Sequence, residues 1–338
     1  MNVLITGGYG FIGAWIIKNL LAENARIWVF DLKEDPRRLQ LIMPADQVGQ
    51  VQFIAGDVTR LDQLQQAISS NQITHLIHLA GLQVPTCRAN PILGATVNVV
   101  GTLNVLEAVR LAGEQIQGLV YASTAAVFGP PERYPHGVSL ADDVQLYPAT
   151  HYGHFKVCNE GNAAVYFQDF GVRSVGLRPW TVYGVGRDLG MTSEPTKAIK
   201  SVAIGQPYHI SYGGIQDLQF VDDVAKAFVL SLKKSFPGAK SYNLRGDVVD
   251  IQTFHKALCS VDASAEKLVT YGDKQLTIAY DLDDTAWQRD IGPLPKTSLE
   301  SGIAQTLQAF RQLHQQGRLD TSDLQPVVAN PVALPDAP

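Results

Sequence analysis

Two rhythms of apolar residues alternate through the first half of the chain. Compact apolar runs at 2–6, 26–30, 51–58, 74–81, 118–129 and 172–179 are bounded by glycine or polar residues and predict buried strands. Between them, stretches at 14–21, 61–69, 91–111 and 152–170 predict helices, the third with a continuous apolar stripe. Strict alternation of this kind predicts an α/β fold, a doubly wound parallel sheet covered by helices on both faces. Ligands of such sheets bind outside the carboxyl ends of the strands. Asp57, Gly81, Ser123, Thr124 and Pro179 all fall at such ends and are expected to converge.

The second half is less regular. It reads as a loop at 184–190, a short helix at 196–204, a longer one at 221–232, a returning strand at 241–246 and an amphipathic helix at 299–315. The expected organisation is a nucleotide-binding domain over 1–180, with 218–245 crossing back into it, and a smaller C-terminal substrate lobe from 181–217 and 246–318. The proline-rich segment 319–338 lacks periodicity and reads as an arm or loose tail.

Composition narrows the class. With 338 residues, 46% of them hydrophobic, the chain can build a sizeable core and is too apolar for disorder. No apolar run approaches bilayer-spanning length, and Met1 leads directly into the first strand without a signal peptide, so no membrane partner is expected. The 3 cysteines, Cys87, Cys158 and Cys259, are scattered and odd in number. They make neither a disulfide framework nor a zinc site, which points to a reducing cytoplasm. A net charge of −5 disfavours nucleic acid as a partner, so an anionic ligand must be held by backbone donors and individual cations.

The opening segment NVLITGGYGFIG carries the first chemistry. Gly7, Gly8, Gly10 and Gly13 separate a strand from a helix, where a sharp turn brings bare N–H groups to a pyrophosphate and the helix N-terminus adds partial positive charge. Asp31 ends the second strand, placed for a ribose hydroxyl and against a 2′-phosphate. The expected cofactor is therefore NAD, within a Rossmann architecture. Arg37 and Arg38 stand nearby and keep a 2′-phosphate in view.

The second chemistry is the pair Tyr152 and Lys156 in YGHFK, one helical turn apart on a single face. A free phenol, with pKa near ~10, is a poor base at neutral pH. A neighbouring ammonium and a positively charged nicotinamide lower it into the working range. Ser123 or Thr124 can hydrogen-bond the substrate oxygen. No metal is expected: His75 and His78 face opposite sides of one strand, and Asp222 with Asp223 opens a helix. His151 and His154 flank the tyrosine, and Trp180 follows Pro179 as either a nicotinamide-pocket or a core aromatic.

In order along the chain, TGGYGFIG, Asp31, GDV at 56–58, HLAG at 78–81, NVVGTLNVLEA from Asn98, YASTAAVFG, Tyr152 with Lys156, LRPWTVYGVGR and FVDDVAKA resemble an extended short-chain dehydrogenase/reductase of the NAD-dependent epimerase/dehydratase group. The resemblance covers roughly 2–316. It implies that Phe11 and Ile12 cover the pyrophosphate, Asp57 and Val58 flank the adenine, Leu79, Ala80 and Gly81 line the ribose side, and Asn98 supports the cofactor site. It assigns Thr124 the catalytic hydroxyl with Ser123 as the backup, and it implies a homodimer built from the helices around 91–111 and 152–170.

Three departures bear on substrate. Ala125 and Ala126 replace the acids of dehydratases and decarboxylases, so those reactions are discounted. Gln216, before Asp217, stands where nucleotide-sugar members carry a diphosphate-gripping arginine, and a neutral amide cannot replace a bidentate guanidinium. Phe155 replaces the serine before the lysine. The expected substrate is a sugar or sugar derivative smaller than a nucleoside-diphosphate sugar. Arg187 is a candidate for a carboxylate, and Thr192 or Ser193 for capping the next helix or contacting an anion. Epimerase and dehydrogenase remain level, with a nucleotide-sugar 4-epimerase as the alternative within enzymes and an NAD(H)-binding sensor or scaffold as the alternative outside them.

Overall fold

The computed structural model describes residues 1–234, 236–294 and 296–324. Its strands are β1 (Asn2–Thr6), β2 (Arg26–Asp31), β3 (Gln52–Ala55), β4 (His75–His78), β5 (Gly118–Ala122), β6 (Ser174–Arg178), β7 (Thr181–Tyr183), β8 (Tyr208–Ile210), β9 (Ile215–Phe220), β10 (Ala239–Asn243), β11 (Asp247–Asp250) and β12 (Val269–Tyr271). Seven of them form one sheet in the order β10-β6-β5-β4-β1-β2-β3, with every pairing parallel. β1 and β4 are buried on both faces, as a sheet with helices on each side demands. The Phe11–Ala22 and Val221–Lys233 helices cover one face and the Leu61–Ser70 and Gly101–Ala112 helices the other, each over its own core of aliphatic and aromatic residues.

Along β4 the odd spacing separates the two histidines. Leu76 packs into the second core and Ile77 into the first. His78 shares its face with Leu76 and reaches Thr102 on the Gly101–Ala112 helix. His75 turns to the other face, beside Gly118.

The second half holds more strand than its periodicity predicts. β7, β9 and β11 form a three-stranded sheet, and β8 with β12 a parallel pair. These strands are short and their partners are distant in sequence, so no local alternation marks them. β10 returns to the edge of the main sheet beside β6. The segment 319–324 ends in a 3₁₀ turn whose Asp323 carboxylate accepts from Lys200 Nζ at 2.7 Å. The remainder of the expected tail, 325–338, lies outside the described residues.

Two expectations need correction. The helix expected over 91–111 is broken by a π-turn at Thr96–Val100. The helical run Pro91–Gln115 also has the length and mean hydropathy, 1.5, of a membrane span, which a search for uninterrupted apolar residues overlooks. Its inner face packs on the sheet, and Asn98, Asn104, Glu107 and Arg110 interrupt it.

Candidate active site

A cleft of about 900 Å³ opens at the carboxyl ends of β1, β2, β4, β5 and β6. The glycine turn forms its floor. Gly7 has φ +68°, and a Cβ there would lie 2.7 Å from the Ala80 nitrogen, while a Cβ on Gly13 would lie 2.5 Å from the Gly8 oxygen. No larger residue fits either place. Gly10 caps the Phe11–Ala22 helix without a side chain, leaving the first-turn N–H groups of that helix facing the cleft. Phe11, Ile12 and Gly13 line it with Gly7 and Gly10. Asp31 closes the end of β2; its carboxylate accepts the Leu32 N–H at 2.8 Å, and burial raises its pKa. Asp57 and Val58 stand beside it, and Leu79, Ala80, Gly81 and Pro179 complete this half of the cleft.

These residues fit NAD. The cradle has the bare backbone and helix N-terminus that a pyrophosphate needs, and Asp31 is an acceptor at the strand end where a ribose would lie. The two neighbouring cations that kept a 2′-phosphate in view are committed elsewhere. Arg38 donates to both oxygens of Asp188 at 2.8 and 2.7 Å, and Arg37 pairs with Asp35 at 2.6 Å.

At the other half of the cleft stand Thr124, Tyr152 and Lys156. Thr150 caps the His151–Phe170 helix, accepting the Gly153 N–H at 3.0 Å, and so fixes the turn that carries the tyrosine. Lys156 Nζ lies 5.7 Å from the Tyr152 ring centre and donates to the Ala122 carbonyl at 2.7 Å. Burial pulls this ammonium down to about 8. Burial also pushes the phenol up to about 12, against the pull of the Thr124 hydroxyl and the Arg187 charge. Burial therefore opposes the acidification expected from the lysine.

Packing separates the two hydroxyl candidates. Ser123 is buried and donates to Glu160 Oε1 at 2.5 Å. That carboxylate also takes the Arg178 guanidinium in a two-pronged ion pair at 2.9 and 2.6 Å. The Ser123 hydroxyl thus belongs to the wall. Thr124 caps the Ala125–Val127 turn, accepting the Ala126 N–H at 3.2 Å, and its hydroxyl stands against the phenol. Ala125 and Ala126 are both buried, with no acid in their place.

Asn98 does not line the cleft. It lies in the π-turn behind Gly81, where a Cβ would meet its Oδ1 at 2.6 Å. Its Nδ2 donates to the Leu82 and Gly94 carbonyls at 3.2 and 3.0 Å, and its own carbonyl accepts from Asn159 Nδ2 at 2.9 Å. The residue pins the tyrosine helix to its neighbour. Cys87, buried against the same Asn98, is a thiol that burial pushes up.

The candidate substrate residues divide. Arg187 and Thr192 face the cleft, joined by a bond of 3.1 Å from Arg187 Nη2 to Thr192 Oγ1. Ser193 and Gln216 do not. Ser193 is buried and its hydroxyl turns back to the Gly190 carbonyl at 2.9 Å, so neither it nor Thr192 caps the Glu194–Ala203 helix with a side chain. Gln216 is fully buried in β9, where its Oε1 accepts from Thr181 Oγ1 at 2.9 Å. Trp180 lines the cleft, packs in a small core cluster and anchors its indole N–H on the Ala279 carbonyl at 2.7 Å. Gln83, Met191 and the strip Leu276, Thr277, Ile278 also line this half. They lie in loops without a motif; only the position of Gln83, just past the end of β4, marks it in the sequence.

A family model described as "NAD dependent epimerase/dehydratase family" matches residues 3–244. The chain belongs to the NAD-dependent epimerase/dehydratase family. Among its relatives in that family is a UDP-glucose 4-epimerase of Mycolicibacterium smegmatis, 28% identical over 325 residues, covering 93% of this chain and all of the relative. A CDP-paratose 2-epimerase of Salmonella typhi is 27% identical over 340 residues, covering 90% of this chain and 97% of that one. The solved UDP-glucose 4-epimerase of Thermus thermophilus, in complex with NAD, superimposes with a TM-score of 0.77 at 28% identity, over 92% of this chain and 99% of its own. The protein is an NAD-dependent enzyme of this epimerase/dehydratase group, an extended short-chain dehydrogenase/reductase.

Proposed function

We propose that the enzyme oxidises a secondary hydroxyl of a sugar or sugar derivative, with Tyr152 taking the hydroxyl proton and Thr124 holding the oxygen in place. Bound NAD, held by the glycine turn and Asp31, supplies the hydride acceptor. Lys156 sits against the phenol ring and disperses the negative charge that forms on it. The Tyr152 phenolate would take the proton as the carbinol becomes a carbonyl, and NAD, when bound, would supply the acceptor for the hydride. Return of hydride to the opposite face makes the cycle an epimerisation; release of the carbonyl compound makes it a dehydrogenation.

The single observation that carries this reading is that Thr124, Tyr152 and Lys156 share one cleft with the glycine cradle, with the phenol facing into it. A passive NAD(H) sensor has no use for that set. The named relatives are nucleotide-sugar epimerases, which supports a carbohydrate substrate. Gln216, buried and uncharged, favours one without a diphosphate. Incubating the enzyme with NAD and a panel of sugars, sugar acids and UDP-sugars tests the reading. Net NADH marks a dehydrogenase, and isomer exchange without net NADH an epimerase. Tyr152→Phe is expected to lose at least about 100-fold in turnover while holding NAD, from the usual worth of a positioned proton acceptor. An active Phe variant removes the tyrosine from the chemistry.

We also propose a homodimer. Ile92, Val100 and Leu111 on one helical run and Val165 and Phe170 on the other stand exposed, on the two helices that the resemblance assigns to the interface. The three free thiols support a reducing cytoplasm as the compartment.

A further inference from the structure

Arg187 is a cation in the cleft wall that makes no ion pair among the described residues; the neighbouring Asp188 carboxylate acts on it but is bonded to Arg38. Its guanidinium lies 5.7 Å from the Phe11 ring centre, at the pyrophosphate end, and its charge is felt by Tyr152 at the catalytic end. One Nη meets the Thr192 hydroxyl, and Nε is buried without a partner. Two other well-buried or cleft-lining arginines have their acids: Arg38 has Asp188 and Arg178 has Glu160. Asp188, adjacent in sequence, is thus already engaged. On the side away from the cleft the charge meets Tyr212, whose hydroxyl adjoins the Gln216 amide. The Tyr212 hydroxyl and Gln216 Nε2 are likewise buried without a geometric hydrogen bond. Arg187, Thr192, Tyr212 and Gln216 therefore form a cluster rich in donors, and the acids nearest to it, Asp188 and Glu194, are bonded to Arg38 and Ser211.

A guanidinium keeps its charge when buried, because it does not lose its proton in a protein. An unpaired buried charge is costly, and an arriving anion offsets part of that cost. Resting on the redox reading above, we infer that the substrate carries its own counter-ion, a carboxylate seated on Arg187 and Thr192. The enzyme's substrate class is then a polyhydroxy acid, oxidised at a hydroxyl held by Thr124 and Tyr152. Charge balance selects carboxylate over phosphate here. With Arg38 and Asp188 paired to each other, the Arg187 guanidinium leaves one positive charge to match one negative charge, whereas a phosphate dianion would leave a second charge uncompensated.

The test is calorimetric titration of the enzyme–NADH complex with gluconate and glucuronate, each beside its neutral counterpart, glucitol and glucose. Glucose 6-phosphate and UDP-glucose form a second arm, and NAD affinity is measured in parallel. An acid is expected to bind at least about 10-fold more tightly than its neutral counterpart, the usual weight of a charge-assisted bond. Arg187→Met is expected to erase that preference with NAD affinity intact, and Arg187→Lys to restore part of it. Equal affinity for acids and neutral sugars overturns the inference, as does the absence of binding by any acid. So does dependence of UDP-glucose or the sugar phosphate, rather than the acid, on Arg187. A loss of NAD affinity in Arg187→Met with the acid preference retained makes the pyrophosphate the counter-ion and also overturns it. The two readings fail separately. An enzyme that turns over neutral sugars and ignores the carboxylate loses only the anion seat. Acid that binds through Arg187 but yields neither NADH nor isomer defeats only the redox reading.

Discussion

Tyr152 and Lys156 are paired by one helical turn, and in the protein alone burial opposes the charged form of each. The phenol stands at about 12 and the ammonium at about 8, both displaced chiefly by burial. Oxidation needs the phenol to give up its proton before it can accept the substrate's. Positive charge added on the cleft side lowers the phenol, and an ammonium retained beside the ring lowers it further. The oxidation rate is therefore expected to rise with pH to a plateau. In Lys156→Met the phenol loses one stabilising charge, so the rising limb should move to higher pH by about one to three units. A profile of kcat against pH that keeps its limb in the methionine variant removes the lysine from this role. Packing around the same cleft explains why the choice between Ser123 and Thr124 was open in the sequence. Both are hydroxyls at the end of β5, and only Glu160, brought alongside by the fold, ties one of them into the wall.

Among the elements, β4 and the helical run beside it hold the site rigid. His78 on β4 bonds Thr6 Oγ1 at 2.7 Å and Thr102 Oγ1 at 2.9 Å, linking β1, β4 and the helix above them. Burial and the Lys156 charge hold this imidazole neutral, down to about 3. Its folded pKa lies below the ordinary value of 6.5, so the unfolded chain binds the proton first. The stability it contributes is present above pH 6.5 and lost as pH falls from there toward 3. Each pH unit in that window removes up to about 1.4 kcal/mol. Denaturant unfolding of the parent and of His78→Gln between pH 5 and 7 should show the parent's extra acid sensitivity vanish in the variant; parallel curves would refute the assignment. The π-turn at Thr96–Val100 was not legible in the sequence, because one extra residue in a single turn barely disturbs an apolar stripe. Its effect is on Asn98, whose carbonyl accepts both Thr102 Oγ1 and Asn159 Nδ2 at 2.7 and 2.9 Å.

At the scale of the molecule, the exposed residues Ile92, Val100, Leu111, Val165 and Phe170 lie on the two helices that carry Asn98 and the Tyr152–Lys156 pair. Sedimentation is expected to find a dimer, and a charge at Ile92, as in Ile92→Glu, to shift it toward monomer. A monomer at micromolar concentration in the parent would remove the proposed interface. The strand–glycine–helix opening, the acid of β2 and the tyrosine helix were all readable from the chain. Each rests on short-range sterics and on periods of two or 3.6 residues, which neighbouring residues enforce by themselves. The partner of a charge is not enforced that way. Arg38 finds Asp188 across 150 positions, Gln216 disappears into β9, and Arg187 is left facing the cleft. The sequence by itself determined the glycine turn and the one-turn spacing of Tyr152 and Lys156. Only the tertiary structure decided which cation remained for the substrate, because that depends on which acids the folded chain brings alongside each one.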